Sequence, residues 1–513
     1  MAAAGLLLAL AQWAGAQTLW LDDAGQPRPA AHEAVAWLTH ADRDGLQPAD
    51  YGAARLAQAL AGPVASEAAA PLEAEITQAV QRYLADLRHG RVDPRQLGAR
   101  YDSDTAPAPD LSALLREAVA RGQPADALRA ATPPWPQYAA LRTALAHYRT
   151  LADHAAWRQP LPAVPGGKLQ AGQRWAGLPA LAERLTALGD LPVTPALAGT
   201  AAHASAPDPA SAASYGAALQ EAVKSFQQRH ALAADGVIGQ ATLEALAVPP
   251  AARVRQIELA LERLRSTPLP SAPRFVSVNV PEFMLRAYQQ DGGAVRQALA
   301  MRVIVGKALD TRTPLFDEDM LWIEFSPYWN IPASIARQET VPKLRANPGY
   351  LAAQGMEFVG AGGVSTAVTA ANLDAVLAGQ MRLRQRPGPR NALGDIKFML
   401  PNNQNIYLHH TPAPGLFERT RRDFSHGCIR IEEPVALALW VLHEDARWTE
   451  ARVRESMGRP RPIVARLPEP VPVLITYRTA IAADDGRMHF VPDLYGHDRL
   501  LAQALQRARG VYK

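Results

Sequence analysis

Cysteine is nearly absent. The 513 residues contain one, Cys428, so no disulfide can form within the chain and no zinc or iron–sulfur site can be built from several thiolates. An excess of one charge is also missing. Fifty-three basic residues against 49 acidic ones leave +4, which excludes the broad basic footprint of a nucleic-acid-binding protein. No apolar run is long enough for a comfortable membrane span, and 48% hydrophobic with 20% charged residues excludes both a multi-span membrane protein and a wholly disordered chain. Charge is absent altogether from Met1 to Leu21. There Leu6, Leu7, Leu8 and Leu10 form a short apolar core, and Ala14-Gly15-Ala16 gives a small-x-small site. Together they predict a signal peptide over residues 1–16, with Gln17 as the mature start. The missing Lys or Arg near the start keeps an uncleaved anchor and a buried helix as alternatives. Outside the cytoplasm a lone cysteine has no partner, so it must be buried or be a reactive thiol.

The length exceeds one ordinary core and predicts several domains, in an α+β multidomain arrangement. Residues 17–165 read as a helical scaffold, in which Ile76, Val80, Tyr83 and Leu87 share a helix face. Pro160, Pro162, Pro165, Gly166 and Gly167 mark a linker. Residues 166–250 read as a small helical bundle. Leu178, Leu181 and Leu185 form one face and Leu219, Val223 and Phe226 another, a low-complexity loop (198–214) lies between them, and Asp235-Gly236 supplies a turn. Residues 251–270 hold a connecting helix whose apolar stripe is Val254, Ile257, Leu261 and Leu264, with Arg and Glu on the remaining surface. It is expected to pack the middle module against the C-terminal region. From 271 to 513 the period becomes two, in Val276, Val278 and Val280, then Val303 and Val305, then Leu321, Ile323 and Phe325. This is a β-rich domain with helical insertions.

The informative constellation lies between Tyr407 and Arg430. In a strand, Ile406 and Leu408 turn to the core, and Tyr407 and His409 share the other face. Fifteen residues later comes Ser425-His426-Gly427-Cys428-Ile429-Arg430. Gly427 permits a tight turn that presents Cys428 and lets backbone N–H groups converge on an oxyanion. A free thiol titrates near ~8.5, so an imidazole within hydrogen-bond reach, from His409 or His426, has to raise the thiolate fraction or take the proton. Two other readings stand beside this one. Cys428 could be a small buried hydrophobe, or His409, His410, His426 and Cys428 could hold zinc, although no pair has helical ligand spacing. In the helix expected after it, Pro434 takes the first turn and Val435, Leu439 and Trp440 are buried.

These residues carry two resemblances. The run VKSFQQRHALAADGVIGQATLEAL is similar to the three-helix peptidoglycan-binding module. IYLHHTP and then SHGCIRI resemble the active-site signature of the L,D-transpeptidases, the family with a YkuD-type catalytic domain. SPYWNIPASIA, NPGYL, PGPRNALGDIKFMLPN and YLADLRHGRVDP extend the resemblance to the large periplasmic subclass. That implies a location in the periplasm and a reaction needing no cofactor and no metal. Cys428 would attack the carbonyl that joins the third residue of a donor stem peptide to its terminal D-Ala. His409 would be the base, oriented by a backbone carbonyl. His426 and the N–H groups of Gly427 and Cys428 would position the acyl group and hold the oxyanion. The thioester would pass to the side-chain amine of a diaminopimelate on a neighbouring stem, giving a 3→3 cross-link. Arg430 could hold a substrate carboxylate or brace the loop. Ser425, Tyr407, Tyr328, Trp329 and Asn330 are candidates for the substrate groove, with core packing the alternative for the aromatics.

The same resemblance implies partners of one kind, peptidoglycan stem peptides as donor and acceptor, and acylation by carbapenems. It also implies a capping insertion over about 331–385, with Gly360, Gly362 and Gly363 to let it move. One departure is visible: His410 stands where the subclass usually has Asp. A thiol hydrolase on the same scaffold (an L,D-carboxypeptidase or a wall-protein-releasing amidase) and a non-catalytic wall-binding protein are the alternative functions.

Overall fold

A computed structural model describes residues 18–102, 110–192, 214–483 and 485–511. The expected signal peptide (1–16) and nearly all of the low-complexity loop lie outside them. Among the described residues no helix is long and apolar enough to cross a membrane.

Alternation builds the C-terminal half. Val276, Val278, Leu285, Val303, Val305, Ile323, Phe398, Leu408 and Ile429 are fully buried in one core. Their strands join edge to edge in the order Leu315–Phe325, Ile396–Met399, Leu408–His409, Ile429–Ile431, Ala294–Gly306, Met284–Asp291, Arg274–Asn279 and Ile463–Thr476. The last strand pairs back onto Leu315–Phe325, so the sheet closes into a ring of strands. Closure removes the free edges that an open sheet must otherwise protect. The helix Pro434–Val441 adds Leu437, Ala438 and Val441 to the same core. The contacts expected at Val435, Leu439 and Trp440 are made, but these residues are only half-buried, because the helix is turned so that Leu437, Ala438 and Val441 are sealed.

The N-terminal helices Pro29–Thr39, Ala53–Ala59, Ser66–His89, Leu111–Ala120 and Ala125–Ala131 gather around Trp20, Leu38, Leu84 and the expected face of Ile76, Val80, Tyr83 and Leu87. This scaffold is not separate from the ring. Ala99–Arg100 adds a parallel strand beside Leu315 and Phe316, and Tyr101 Oη donates to the Ile475 carbonyl at 3.2 Å.

The connecting helix, Pro250–Ser266, departs from expectation. It packs on the scaffold helix Pro136–Thr150 and on Phe275, Tyr288, Leu474 and Phe490 of the β-rich domain, not chiefly on the middle module. Its charged side is sealed as well. Arg265 reaches Glu262 at 2.7 Å and Tyr138 Oη at 3.0 Å, and Tyr138 donates to Asp44 at 3.1 Å. Periodicity assigns Arg and Glu to solvent; here the neighbouring elements bury Glu262 and Arg265, and these two charges remain because they pair with each other. Removing one partner of such a pair costs about 3–5 kcal/mol.

The middle module is three helices, Leu178–Ala187, Ala217–Arg229 and Gln240–Ala247, around Leu181, Leu185, Val223, Phe226 and Leu246. Its turn requires glycine. Gly236 sits at φ 72°, and a Cβ there would lie 2.7 Å from Gln220.

The insertion has a core of its own, including Ile331, Leu344, Phe358, Leu373 and Leu383. A four-stranded sheet runs Trp329–Asn330, Arg382–Gln385, Met356–Gly360, Gly363–Ser365. Gly360 pairs with Gly363 at the tip of a hairpin, so the three glycines shape a distal turn and do not form a hinge at the root.

Candidate active site

Strand register assembles the site. Leu408 pairs with Ile429 and His409 with Arg430 in parallel, which sets Tyr407 beside Cys428 one step earlier. On the other side Lys397 pairs with His409 and with Glu324. Glu324, Lys397, His409 and Arg430 therefore form a polar row on the outer face of the ring, while Ile323, Phe398, Leu408 and Ile429 fill the inside. Tyr407 and His409 share that outer face, with ring centroids 5.7 Å apart.

The Cys428 loop is tightly pinned. Gly427 has φ 114°. Ser425 Oγ donates to the Cys428 carbonyl at 2.5 Å and accepts from Gly427 N–H at 3.1 Å. Thr313 Oγ1 donates to the Gly427 carbonyl at 2.8 Å, and Thr311 Oγ1 to that of Ser425 at 2.9 Å. Two expectations change as a result. Ser425 is buried and spends its hydroxyl inside the loop, so it shapes the turn and does not line the groove. Gly427 N–H is already engaged, whereas the Cys428 N–H makes no hydrogen bond among the described residues. That amide is the one left for an oxyanion.

Cys428 is half-buried. Its Sγ faces the Asn405 carbonyl at 3.5 Å, from a residue in the left-handed region at φ 57°. The backbone N–H and phenol of Tyr407 also reach the sulfur. Desolvation pushes the thiol above its usual range; Tyr407, Lys397 and Arg430 act in the opposite direction. Neither histidine is a hydrogen-bond partner of the sulfur. Register explains this for His409, which lies diagonally from Cys428 while Tyr407 lies directly beside it; diagonal neighbours are ~7–8 Å apart at Cα.

His409 is buried, and its Nδ1 meets the His410 carbonyl at 2.5 Å. The Leu393 carbonyl also meets the ring; a neutral ring that donates from Nδ1 to His410 carries its lone pair on Nε2. Burial, with Arg430 and Lys397 nearby, holds its pKa down at about 3. Arg430 Nε is buried without a hydrogen-bond partner, an open donor beside His409. His410 Nδ1 lies 3.5 Å from Asp395, so a carboxylate does occupy this corner, supplied by a neighbouring position.

His426 is exposed and turned to the cap, where Nε2 meets Glu339 Oε1 at 2.7 Å. Together with Trp329, whose indole reaches the Tyr407 phenol, this ties the insertion to the nucleophile loop. Tyr328 stacks with Arg384 at 4.1 Å, and Asn330 is exposed on the cap strand. The candidate histidines thus engage separate partners and do not converge as metal ligands. Glu339→Gln should weaken the tie by the roughly 0.2–1 kcal/mol of an exposed pair. Hydrogen exchange should quicken about two- to fivefold over 331–346, with little change in thermal stability.

Sequence reasoning missed Lys397, Glu339 and Asn405. The alternation Ile396-Lys397-Phe398 places Lys397 on an outer face, but only strand pairing shows which neighbours it meets there.

Residues 273–463 match the family described as L,D-transpeptidase catalytic domain, YkuD. Residues 12–145 match the family Scaffold domain, and 179–246 match "Putative peptidoglycan binding domain". A Haemophilus influenzae protein named "Putative L,D-transpeptidase" is 33% identical over 245 residues. That stretch is 47% of this chain and 48% of the other, so the chain spans about half the length of this curated relative. Among solved structures, Bd1075 of Bdellovibrio bacteriovorus covers 46% of this chain and 56% of its own, at 12% identity and TM-score 0.19. A Clostridium acetobutylicum fused Zn-dependent amidase/peptidase/peptidoglycan-binding domain-containing protein covers 60% and 99%, at 11% identity and TM-score 0.17.

Proposed function

We propose that this chain, which carries a YkuD-type L,D-transpeptidase catalytic domain beside a scaffold domain and a peptidoglycan-binding domain, cross-links peptidoglycan stem peptides through a thioester on Cys428. The observation that carries the reading is the presentation of Cys428: half-exposed on a pinned loop, with a free amide at its own nitrogen and a neutral histidine on the same sheet face.

Protons and leaving groups balance at each step. The thiol of Cys428 loses its proton to His409 Nε2, and the thiolate adds to the donor carbonyl before the terminal D-Ala. The Cys428 N–H faces the oxyanion. Collapse expels D-Ala, which takes the proton from His409, and a thioester remains. A diaminopimelate side-chain amine then attacks, gives a proton to His409 and displaces the thiolate, which recovers that proton. The product is a 3→3 cross-link. The carboxylate of the donor stem meets the Arg430 guanidinium. Substrate geometry brings His409 closer than the resting arrangement does, since catalytic hydrogen bonds tighten only in the complex. The peptidoglycan-acting domains support a location outside the cytoplasm, which on this reading is the periplasm.

The test is intact-mass analysis with a carbapenem, then muropeptide analysis. A covalent adduct on the wild type and new 3→3 dimers are the expected results. Shortened monomers without dimers would assign the protein to hydrolysis; no adduct and no product would leave only wall binding.

A further inference from the structure

Lys397 belongs to no part of the chemistry described so far, yet it stands inside the polar row. It occupies the centre of Ile396–Met399, one strand from His409 and two from Arg430. Its register partner on the far side is Glu324, and a lysine and glutamate so placed would ordinarily pair. They form no ion pair here. The ammonium instead leans across the sheet to lie 4.0 Å from the centre of the Tyr407 ring. That ring carries its hydroxyl to the Cys428 sulfur.

We propose that Lys397 is the counter-charge of the Cys428 thiolate, holding it through the Tyr407 face and hydroxyl, and that this cation, not a histidine, sets how readily the resting thiol ionises. The inference deepens the transpeptidase reading, on which it rests, by naming what activates that reading's nucleophile. A half-buried ammonium is costly; Glu324, beyond contact distance, offsets part of that cost, and ionisation of the neighbouring sulfur offsets more of it. Burial lowers the affinity of Lys397 for its proton, and both Glu324 and Cys428 oppose that change. Tyr407 contributes a ring face that attracts the cation and an O–H that donates to the anion. In the step itself the thiol proton leaves to water or to His409 Nε2; Lys397 keeps its three protons throughout. Lys397 is therefore a positioning residue acting by charge.

Other charged and titratable groups face the sulfur too. Arg430 lies two residues further along the chain, on Ile429–Ile431, His409 lies on the adjoining strand, Tyr407 stands directly beside the sulfur, and the His426–Glu339 pair comes from its own loop and the cap. Lys397 can be altered without touching the Cys428 loop, His409 or the cap.

The experiment is the pH dependence of Cys428 alkylation by iodoacetamide, read by intact mass on the full chain between pH 5 and 10. With one cysteine in the sequence, the adduct that is absent from Cys428→Ala under the same conditions reports on this thiol. Lys397→Met should move the midpoint up by about one unit, and so slow alkylation near pH 7 about tenfold. Lys397→Arg should stay within about threefold of wild type, because it keeps the charge. A Lys397→Met protein that alkylates with the wild-type midpoint overturns the proposal, as does a Lys397→Arg protein whose midpoint rises as far as that of Met. Near-ultraviolet circular dichroism checks folding. If Met does not fold, Lys397→Gln takes its place with the same two outcomes. The readout needs no peptidoglycan. An unmoved midpoint with intact carbapenem acylation rejects Lys397 alone; absence of acylation in every protein rejects the transpeptidase reading instead.

Discussion

Cys428→Ala should abolish 3→3 dimer formation and D-Ala release, a loss of about 10³-fold or more, while the protein stays folded. The size follows from covalent catalysis: the thioester forms on this sulfur, which belongs to the one cysteine in the sequence, and alanine offers no nucleophile in its place. The retained fold follows from the surroundings. The side chain is half-exposed, and its hydrogen bond to Asn405 is long, at 3.5 Å. The turn is held by Ser425, Thr311 and Thr313, none of which uses the sulfur. Melting should therefore shift by no more than about 2 °C. Dimer analysis on purified muropeptides, with a melting curve on the same sample, checks both parts. Dimers formed by the alanine protein would sink the mechanism.

His409→Gln should lower turnover by about 10²–10⁴-fold, the usual contribution of a positioned general base. It should also change how stability depends on acid. The folded pKa of about 3 lies below the ordinary value near 6.5. The unfolded chain therefore takes up a proton on this residue that the folded chain refuses. The associated stability is complete above pH ~6.5 and is lost as pH falls from there towards 3. Between pH 7 and pH 5 this one group accounts for roughly 2 kcal/mol. Denaturant titrations at the two pH values should show the wild type losing that much more than the glutamine protein. Equal losses would mean that the imidazole is not held neutral inside the fold.

Much of the site was readable in the chain. Gly427 before Cys428 indicates a presented nucleophile, and its φ of 114° is one that glycine alone adopts freely. Alternation through Ile406, Tyr407, Leu408 and His409 indicates two faces, and the structure keeps that division. These are local signals, written in neighbouring residues. The peptidoglycan-binding-like bundle was legible for the same reason, since its helix faces and its Asp235-Gly236 turn repeat at short range.

Helix amphipathicity misled at Pro250–Ser266. The pattern reports how many residues are polar, not whether a partner waits for them; Glu262 and Arg265 are buried because scaffold residues meet them there. Ala99–Arg100, only two residues long, has no strand signal of its own and pairs with Leu315–Phe316.

By itself, then, the sequence determined the cysteine presented on a glycine turn, the histidine that shares its sheet face and the order of the modules, because short-range spacing specifies each of them. Only the tertiary structure decided that Tyr407 adjoins the sulfur while His409 sits diagonally, that Lys397 leans toward Tyr407, that Glu339 reaches His426 from the cap, and that the strands close into a ring. Those relations come from cross-strand register and packing between segments distant in the chain. The free energy that selects them is shared across whole interfaces and leaves no mark in any one stretch of residues.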